Sequence, residues 1–386
     1  MRIFVLGAGA AGGLLAQLLA RQGHTVWCGD RDPERARRFL GPKLSCQRVN
    51  ARNLWGIVQA GRSCHLLVNA APAAFNHTVL RAALRLRAHY LDMATHLGRY
   101  PFKAEQLRFH RKFLAKRRVA LINTGVAPGL TNLLVARSAE QLDTVEDVRI
   151  RLFESTESRD PVSTWSAETA FDEATSRPRV YRQRRFRLAR RFGEPEWFRF
   201  PPPIGQVRVM LAAQDEVGTL PHFIPMRDMD VKIGGNEIDR LHRWYRQGKL
   251  RPSAGLVSKR FPQTPTPRQV ARLIRRGILR NGRFALAVVV RGRKAGEPLE
   301  RRWACAFPSL YQIRRQGSYA TPIAYATAHT AALFIKHLPR DSRGVHPPEA
   351  LPAEARRAIL ADVKKKGFEL TGRVKRLERP EDEDEF

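Results

Sequence analysis

The sequence predicts an α/β chain: a doubly wound parallel sheet of Rossmann type with an inserted α+β domain. Three features of its 386 residues predict this. A short apolar run, Arg2–Leu6, leads into Gly7-Ala8-Gly9-Ala10-Ala11-Gly12 and a helical stretch. Strand-like and helix-like segments then alternate as far as Asn123. Beyond Gly125 the alternation stops, and residues 155–235 are rich in Pro, Arg and aromatics with no steady period.

Element by element, Arg2–Leu6 reads as a buried strand and Leu14–Gln22 as a helix closed by Gly23. Thr25–Cys28 is a second strand ending at Asp30, and Asp32-Pro33-Glu34 opens a helix with an N-cap and a first-turn proline. Leu66–Val68, Tyr90–Leu91 and Val119–Ile122 are further strands, ending at Asn69, Asp92 and Asn123. Asn76–Leu86 and the basic Pro101–Lys116 are the helices between them, and Thr131–Ala139 follows. Val148–Glu154 is strand-like, and Phe284–Val290 with Trp303–Phe307 forms an antiparallel pair. Ala324–His337 is a helix packed back on the first domain. The expected layout is 1–125 with about 317–350 for the nucleotide-binding domain and 126–316 for the substrate and dimerisation domain. A helical segment, 351–373, and a disordered acidic tail, 374–386, complete it.

Lys plus Arg total 69 against 36 Asp plus Glu, a net charge of +33. Such a surface attracts polyanions without selectivity. The densest basic run, Arg182–Arg191, lacks any nucleic-acid-binding signature and reads as a solvated face, so no specific nucleic-acid partner is expected. The cysteines, Cys28, Cys46, Cys64 and Cys305, stand singly, with neither metal-ligand spacing nor a disulfide framework. A cytoplasmic chain without metal follows. No apolar run reaches the roughly 18 residues of a membrane span. Met1–Ala20 also has the makings of a secretion signal, but the glycine loop gives the same residues a better use.

In that loop Gly7 permits the turn, Gly9 lets the backbone approach a pyrophosphate, and Gly12 lets helix and strand pack closely. The amides of Ala10 and Ala11 then face the anion at the helix start. Asp30, at the end of the next strand, would accept the adenosine ribose hydroxyls and favours NAD. Arg31 beside it would instead pair with the 2′-phosphate of NADP. Small residues at strand ends, Asn69, Ala70 and Ala71, would let the cofactor lie against the backbone, and Asn123 joins this set; an ordinary strand-to-helix turn explains Asn69–Pro72 equally well.

Asp92 and His96 follow a strand on the edge where such sheets bind ligands. A carboxylate and an imidazole there suit proton transfer at a substrate amine; a helix cap with a surface histidine is the plain alternative. The turn Gly125–Thr131, with Pro128 and Gly129, would offer helix-start amides to a substrate carboxylate, joined by Thr131 and Asn132, or serve as a hinge.

Together these segments resemble the saccharopine dehydrogenase family, and within it the lysine 6-dehydrogenase branch. The resemblance rests on Gly7–Gly12, on Asn69 with Phe75-Asn76-His77-Thr78-Val79, and on Leu91-Asp92 with His96-Leu97-Gly98. It continues through Gly125-Val126-Ala127-Pro128-Gly129, Thr219-Leu220-Pro221 and Arg343-Gly344-Val345-His346-Pro347-Pro348-Glu349. It implies NAD- or NADP-dependent chemistry at a carbon–nitrogen bond of an amino acid or opine. Ala73-Ala74 and residues 155–215 depart from relatives where substrate would be chosen. Trp165 and Glu168 are expected to close the far side of the cleft. A homodimer acting on a small amino-acid-like substrate is the expected working form. A dinucleotide-binding sensor or scaffold without catalysis is the competing class.

Overall fold

The computed structural model describes residues 1–96, 98, 100–164, 166–250 and 264–378, the side chains of 167–169 excepted. The first part of the chain runs β1 (Arg2–Leu6), α1 (Ala10–Arg21), β2 (Thr25–Asp30), α2 (Pro33–Leu40), β3 (Cys46–Arg48), α3 (Leu54–Ala60) and β4 (Leu66–Asn69). It continues with α4 (Asn76–Leu86), β5 (His89–Asp92), α5 (His110–Ala115), β6 (Val119–Leu121) and α6 (Leu130–Ala139). Next come β7 (Thr144–Ser158), α7 (Ala167–Thr175), β8 (Arg179–Arg182), β9 (Arg185–Leu188), β10 (Glu196–Arg199) and β11 (Gln206–Leu211). Then follow α8 (Leu220–Phe223), β12 (Asp228–Gly234), α9 (Asn236–Arg246), α10 (Pro267–Arg275), β13 (Leu279–Lys294) and β14 (Glu297–Ala306). The last elements are α11 (Leu310–Arg315), α12 (Pro322–Lys336), β15 (Gly344–His346), α13 (Ala353–Lys365) and β16 (Glu369–Arg376).

Seven parallel strands form the first sheet, in the order β15-β6-β5-β4-β1-β2-β3. Every residue of β4 is buried, as a strand covered on both faces requires. Local signals place the helices: Asp32 Oδ1 accepts the Arg35 amide at 3.0 Å and Pro33 starts α2. The second sheet has nine strands, most of them antiparallel, with β12 and β7 parallel at its centre. The chain therefore has the predicted α/β architecture with a second, mixed sheet. One apolar core runs from Ile3 and Val5 in the first sheet to Val148 and Val288 in the second. The alanine-rich α12 lies against α1 and joins the two layers.

Two expectations change. Pro101–Lys116 is not one helix: Glu105–Phe109 is a 3-10 turn and only α5 is α-helical. Bonds to the second layer compete for the preceding backbone, since Ala104 donates to the Gly218 carbonyl at 3.0 Å and Arg179 to that of Pro101 at 3.1 Å. The segment after residue 350 is not helical to its end, because β16 pairs with β14 and carries Val374–Arg376 into the sheet. Residues 379–386, expected to be disordered, lie outside the described residues.

The basic run Arg182–Arg191 contains the tip and return strand of the β8–β9 hairpin. Its Arg184, Arg185 and Arg187 are exposed, while the Phe186 ring stacks on Phe102 at 5.5 Å and on His222 at 5.0 Å. Arg182 pairs with Asp230 at 2.7 Å, so the run is partly a structural brace.

Candidate active site

The glycine loop behaves as its spacing demands. Gly7 has φ +94°, and a Cβ there would lie 2.5 Å from the Ala70 carbonyl carbon. A Cβ on Gly12 would meet the Gly7 oxygen at 2.0 Å. Gly9 differs, since a Cβ there would meet nothing within 4 Å. No side chain caps the start of α1. The first amides of the helix, including those of Ala10 and Ala11, thus carry no side-chain cap, as a place for an incoming anion requires. Asp30 is held beside them: its Oδ2 accepts the Ala8 amide at 2.8 Å and its Oδ1 the Asp32 amide at 2.9 Å. Arg31 is exposed next to it. The residues present therefore fit a dinucleotide pyrophosphate with its adenosine ribose at Asp30.

A cavity of about 310 Å³ opens from Ala11 along the carboxyl edge of the parallel sheet. Asn69, Ala70, Ala71, Asp92, His96, Gly125 and Pro128 line it. Asn69 serves its own turn as well, donating to Asn76 Oδ1 at 2.8 Å and accepting from the Ala71 amide at 3.2 Å. Asp92 is buried, and its Oδ1 accepts the Asn123 amide at 2.8 Å. Its Oδ2 accepts from the Tyr90 hydroxyl at 2.9 Å and Gln106 Nε2 at 3.2 Å. Burial pushes this carboxyl up to about 7. Thr95 donates to Asn123 Oδ1 at 2.6 Å, and its amide donates to Asp215 Oδ2 at 3.0 Å. These bonds fix the loop that carries His96. Among the described residues the His96 ring has no hydrogen-bond partner. Asn123 is buried, its side chain directed at Thr95, and it is not part of the cavity wall.

The far wall comes from the second layer and is acidic. Glu154 stands on β7, Asp172 and Glu173 on α7, and Asp215 follows β11. Arg179 on β8 faces Asp172 and Asp215. Burial pushes Asp215 up to about 6 and raises Glu173 well above the usual carboxylate range. Sequence reasoning missed all five: Asp172, Glu173, Arg179 and Asp215 come from the stretch without a period, and Glu154, on a strand that was read, gave no sign of facing the cleft. Trp165, expected on this wall, lies outside the described residues, as does the side chain of Glu168, whose backbone belongs to α7.

The Gly125–Asn132 turn requires a correction. Gly125 and Pro128 reach the cavity; Gly129, Thr131 and Asn132 do not. The amides at the start of α6 are already used: Gly129 donates to Asn132 Oδ1, Leu130 to the Gly125 carbonyl and Thr131 to that of Val126. Thr131 donates to Glu216 Oε1 at 2.9 Å, and Asn132 Nδ2 to Glu349 Oε2 at 2.9 Å. This helix start holds two buried glutamates of the protein itself rather than a substrate carboxylate.

Those glutamates make a pH prediction. Burial raises Glu216 and Glu349 from the usual 4.5 to about 7. The folded state thus holds protons that the unfolded chain has released, so their contribution is full below about 4.5 and is lost as pH rises through about 7. Thermal denaturation between pH 5 and pH 8 should show Glu349→Gln losing less stability with rising pH than the parent. An unchanged slope would remove Glu349 from this effect.

Residues 3–126 match the saccharopine dehydrogenase NADP binding domain. The match covers the glycine loop, Asp30, Asn69, Asp92, His96 and Asn123. Among solved structures, the apo saccharopine dehydrogenase (L-Glu forming) from Saccharomyces cerevisiae superposes with a TM-score of 0.70 at 10% identity, covering 97% of this chain and 99% of that one. A meso-dapdh variant with DAP from Clostridium tetani E88 gives a TM-score of 0.43 at 11% identity, covering 92% of this chain and 95% of that one. Residues 3–126 thus match a domain that binds a nicotinamide dinucleotide, and the chain as a whole shares the fold of the yeast enzyme. Among the described residues, no helix is long and apolar enough to cross a membrane.

Proposed function

We propose that the protein is a cytoplasmic NAD-dependent oxidoreductase acting on a carbon–nitrogen bond of a small amine. One observation carries the reading: the open start of α1 and the cavity bearing His96 and the carboxyls share Ala11 at the carboxyl edge of one sheet. When bound, the nicotinamide exchanges a hydride with the carbon that carries nitrogen. The chain's own residues do the rest. His96, on the cavity wall with no hydrogen-bond partner for its ring among the described residues, accepts the proton that the substrate ammonium must release. Asp92, at the start of the loop, accepts from Gln106 beyond it and from the Asn123 amide, and so positions His96. The carboxyls of the far wall stabilise the positive charge that develops at nitrogen. Residues 1–125 with the 317–350 segment would act as the nucleotide-binding unit and 126–316 as the substrate unit.

Asp30 supports NAD over NADP, since a fixed carboxylate repels a 2′-phosphate. NAD should bind more tightly than NADP, and Asp30→Ala should narrow the gap. Titration of both cofactors by intrinsic fluorescence tests this, and tighter NADP binding by the parent chain would overturn it. For the reaction itself, nicotinamide absorbance is followed with a panel of amines, amino acids and opines. Turnover supports the enzyme; dinucleotide binding without turnover of any member supports a sensor of the same fold.

A further inference from the structure

The charge of the cavity runs against the charge of the chain. The protein carries a net +33, yet five carboxyl side chains line this one cavity: Asp92, Glu154, Asp172, Glu173 and Asp215. Among the described residues Arg179 is the lining arginine; its Nε donates to the Pro101 carbonyl at 3.1 Å, and Asp215 and Asp172 act on its charge. Within this acidic lining one side chain is set apart by its surroundings. Glu154, on β7 at the floor, is 5% exposed, and its Oε1 has no hydrogen-bond partner. Behind it, Arg240 of α9 is paired with Glu237 and does not bond Glu154. Burial and the neighbouring Glu237 hold this carboxyl well above the usual carboxylate range, and a cationic donor in the cavity would relieve that cost.

Resting on the C–N oxidoreductase reading above, we propose that the substrate is a diamine or polyamine rather than a multiply carboxylated opine. One nitrogen lies at the His96 edge, where the reacting carbon must meet the nicotinamide. The distal ammonium donates to Glu154 Oε1, with Glu173 beside it on the same wall. A second ammonium converts the unpartnered acceptor into a charge-assisted hydrogen bond. Substrates with two or three carboxylates would instead meet five carboxyl side chains and, among the described lining residues, a single arginine. The rest of the molecule sharpens the inference: a surface this basic repels polycations, so amine binding reports on the cavity.

The test uses the full chain at pH 8 and measures thermal shift with 1,5-diaminopentane, spermidine, lysine, glutamate and saccharopine, each with and without NAD. The expected result is a shift with diaminopentane and spermidine exceeding that with lysine, and none with glutamate or saccharopine. Glu154→Gln should weaken diamine binding about tenfold or more, the loss of one charge-assisted bond. It should leave the NAD shift intact, which also shows that the variant folds. Glu173→Gln serves as the second variant. No diamine shift in either form, a larger shift with saccharopine, or equal diamine binding by both variants and the parent would each overturn the proposal. A missing NAD shift with diamine binding preserved would count against the oxidoreductase reading and leave the amine site standing.

Discussion

Gly9→Asp is expected to abolish dinucleotide binding while leaving the fold intact. The backbone at Gly9, φ −78° and ψ −156°, suits any residue, and a Cβ there meets nothing within 4 Å. The added carboxylate would project into the space where the pyrophosphate must lie. Two like charges about 4 Å apart at an effective dielectric of about 20 cost on the order of 4 kcal/mol, roughly a thousandfold in affinity. Gly12→Ala is the contrasting variant. Its Cβ would sit 2.0 Å from the Gly7 oxygen and 2.7 Å from Ala70 Cβ, so the fold itself should lose about 1–3 kcal/mol. Calorimetric titration with NAD and thermal denaturation separate the two. Unchanged affinity in Gly9→Asp would place the cofactor elsewhere.

His96→Gln should lower turnover by a factor on the order of 10²–10⁴ with little change in stability, the usual cost of removing a general base. Asp92→Asn should behave differently. Its new NH2 group would oppose donors from which Asp92 now accepts, the Asn123 amide on one side or Tyr90 and Gln106 on the other, costing about 1–3 kcal/mol of stability. Its effect on turnover would come through the displaced loop. Steady-state assays and denaturation of the two variants give the answer. Near-normal turnover in His96→Gln would exclude it as the base, and a larger loss in Asp215→Asn would assign that role to Asp215, which lies on the opposite wall.

The first layer was legible because its signals are local. Asp32-Pro33 started α2 as read, and the strand ends at Asp30, Asn69 and Asp92 fall where the apolar runs stop. The second layer was not, because its order is set by distant partners: β12 pairs with β7 in parallel across α7 and four intervening strands. Asp172, Glu173, Asp215 and Glu154 therefore looked like unrelated acids until the sheet gathered them. Thr131 and Asn132 show the opposite failure. Their types and place at a helix start matched a carboxylate site, and each does meet a carboxylate, but one that belongs to Glu216 or Glu349 of the same chain. Sequence spacing shows what a side chain can hold and not which partner arrives first.

The edge strand β15 sets a timetable for biosynthesis. It closes the parallel sheet beside β6, and Val345 is tied to His110, 235 residues earlier. At about 5–20 residues per second, a ribosome needs on the order of ten to fifty seconds to deliver it. Throughout that interval the flank of β6 is an open hydrogen-bonding edge on a nascent chain, the kind of edge on which strands of other molecules add. The nascent chain is thus vulnerable to self-association after its cofactor loop is complete and until β15 has emerged. Chaperone capture should peak in the same window.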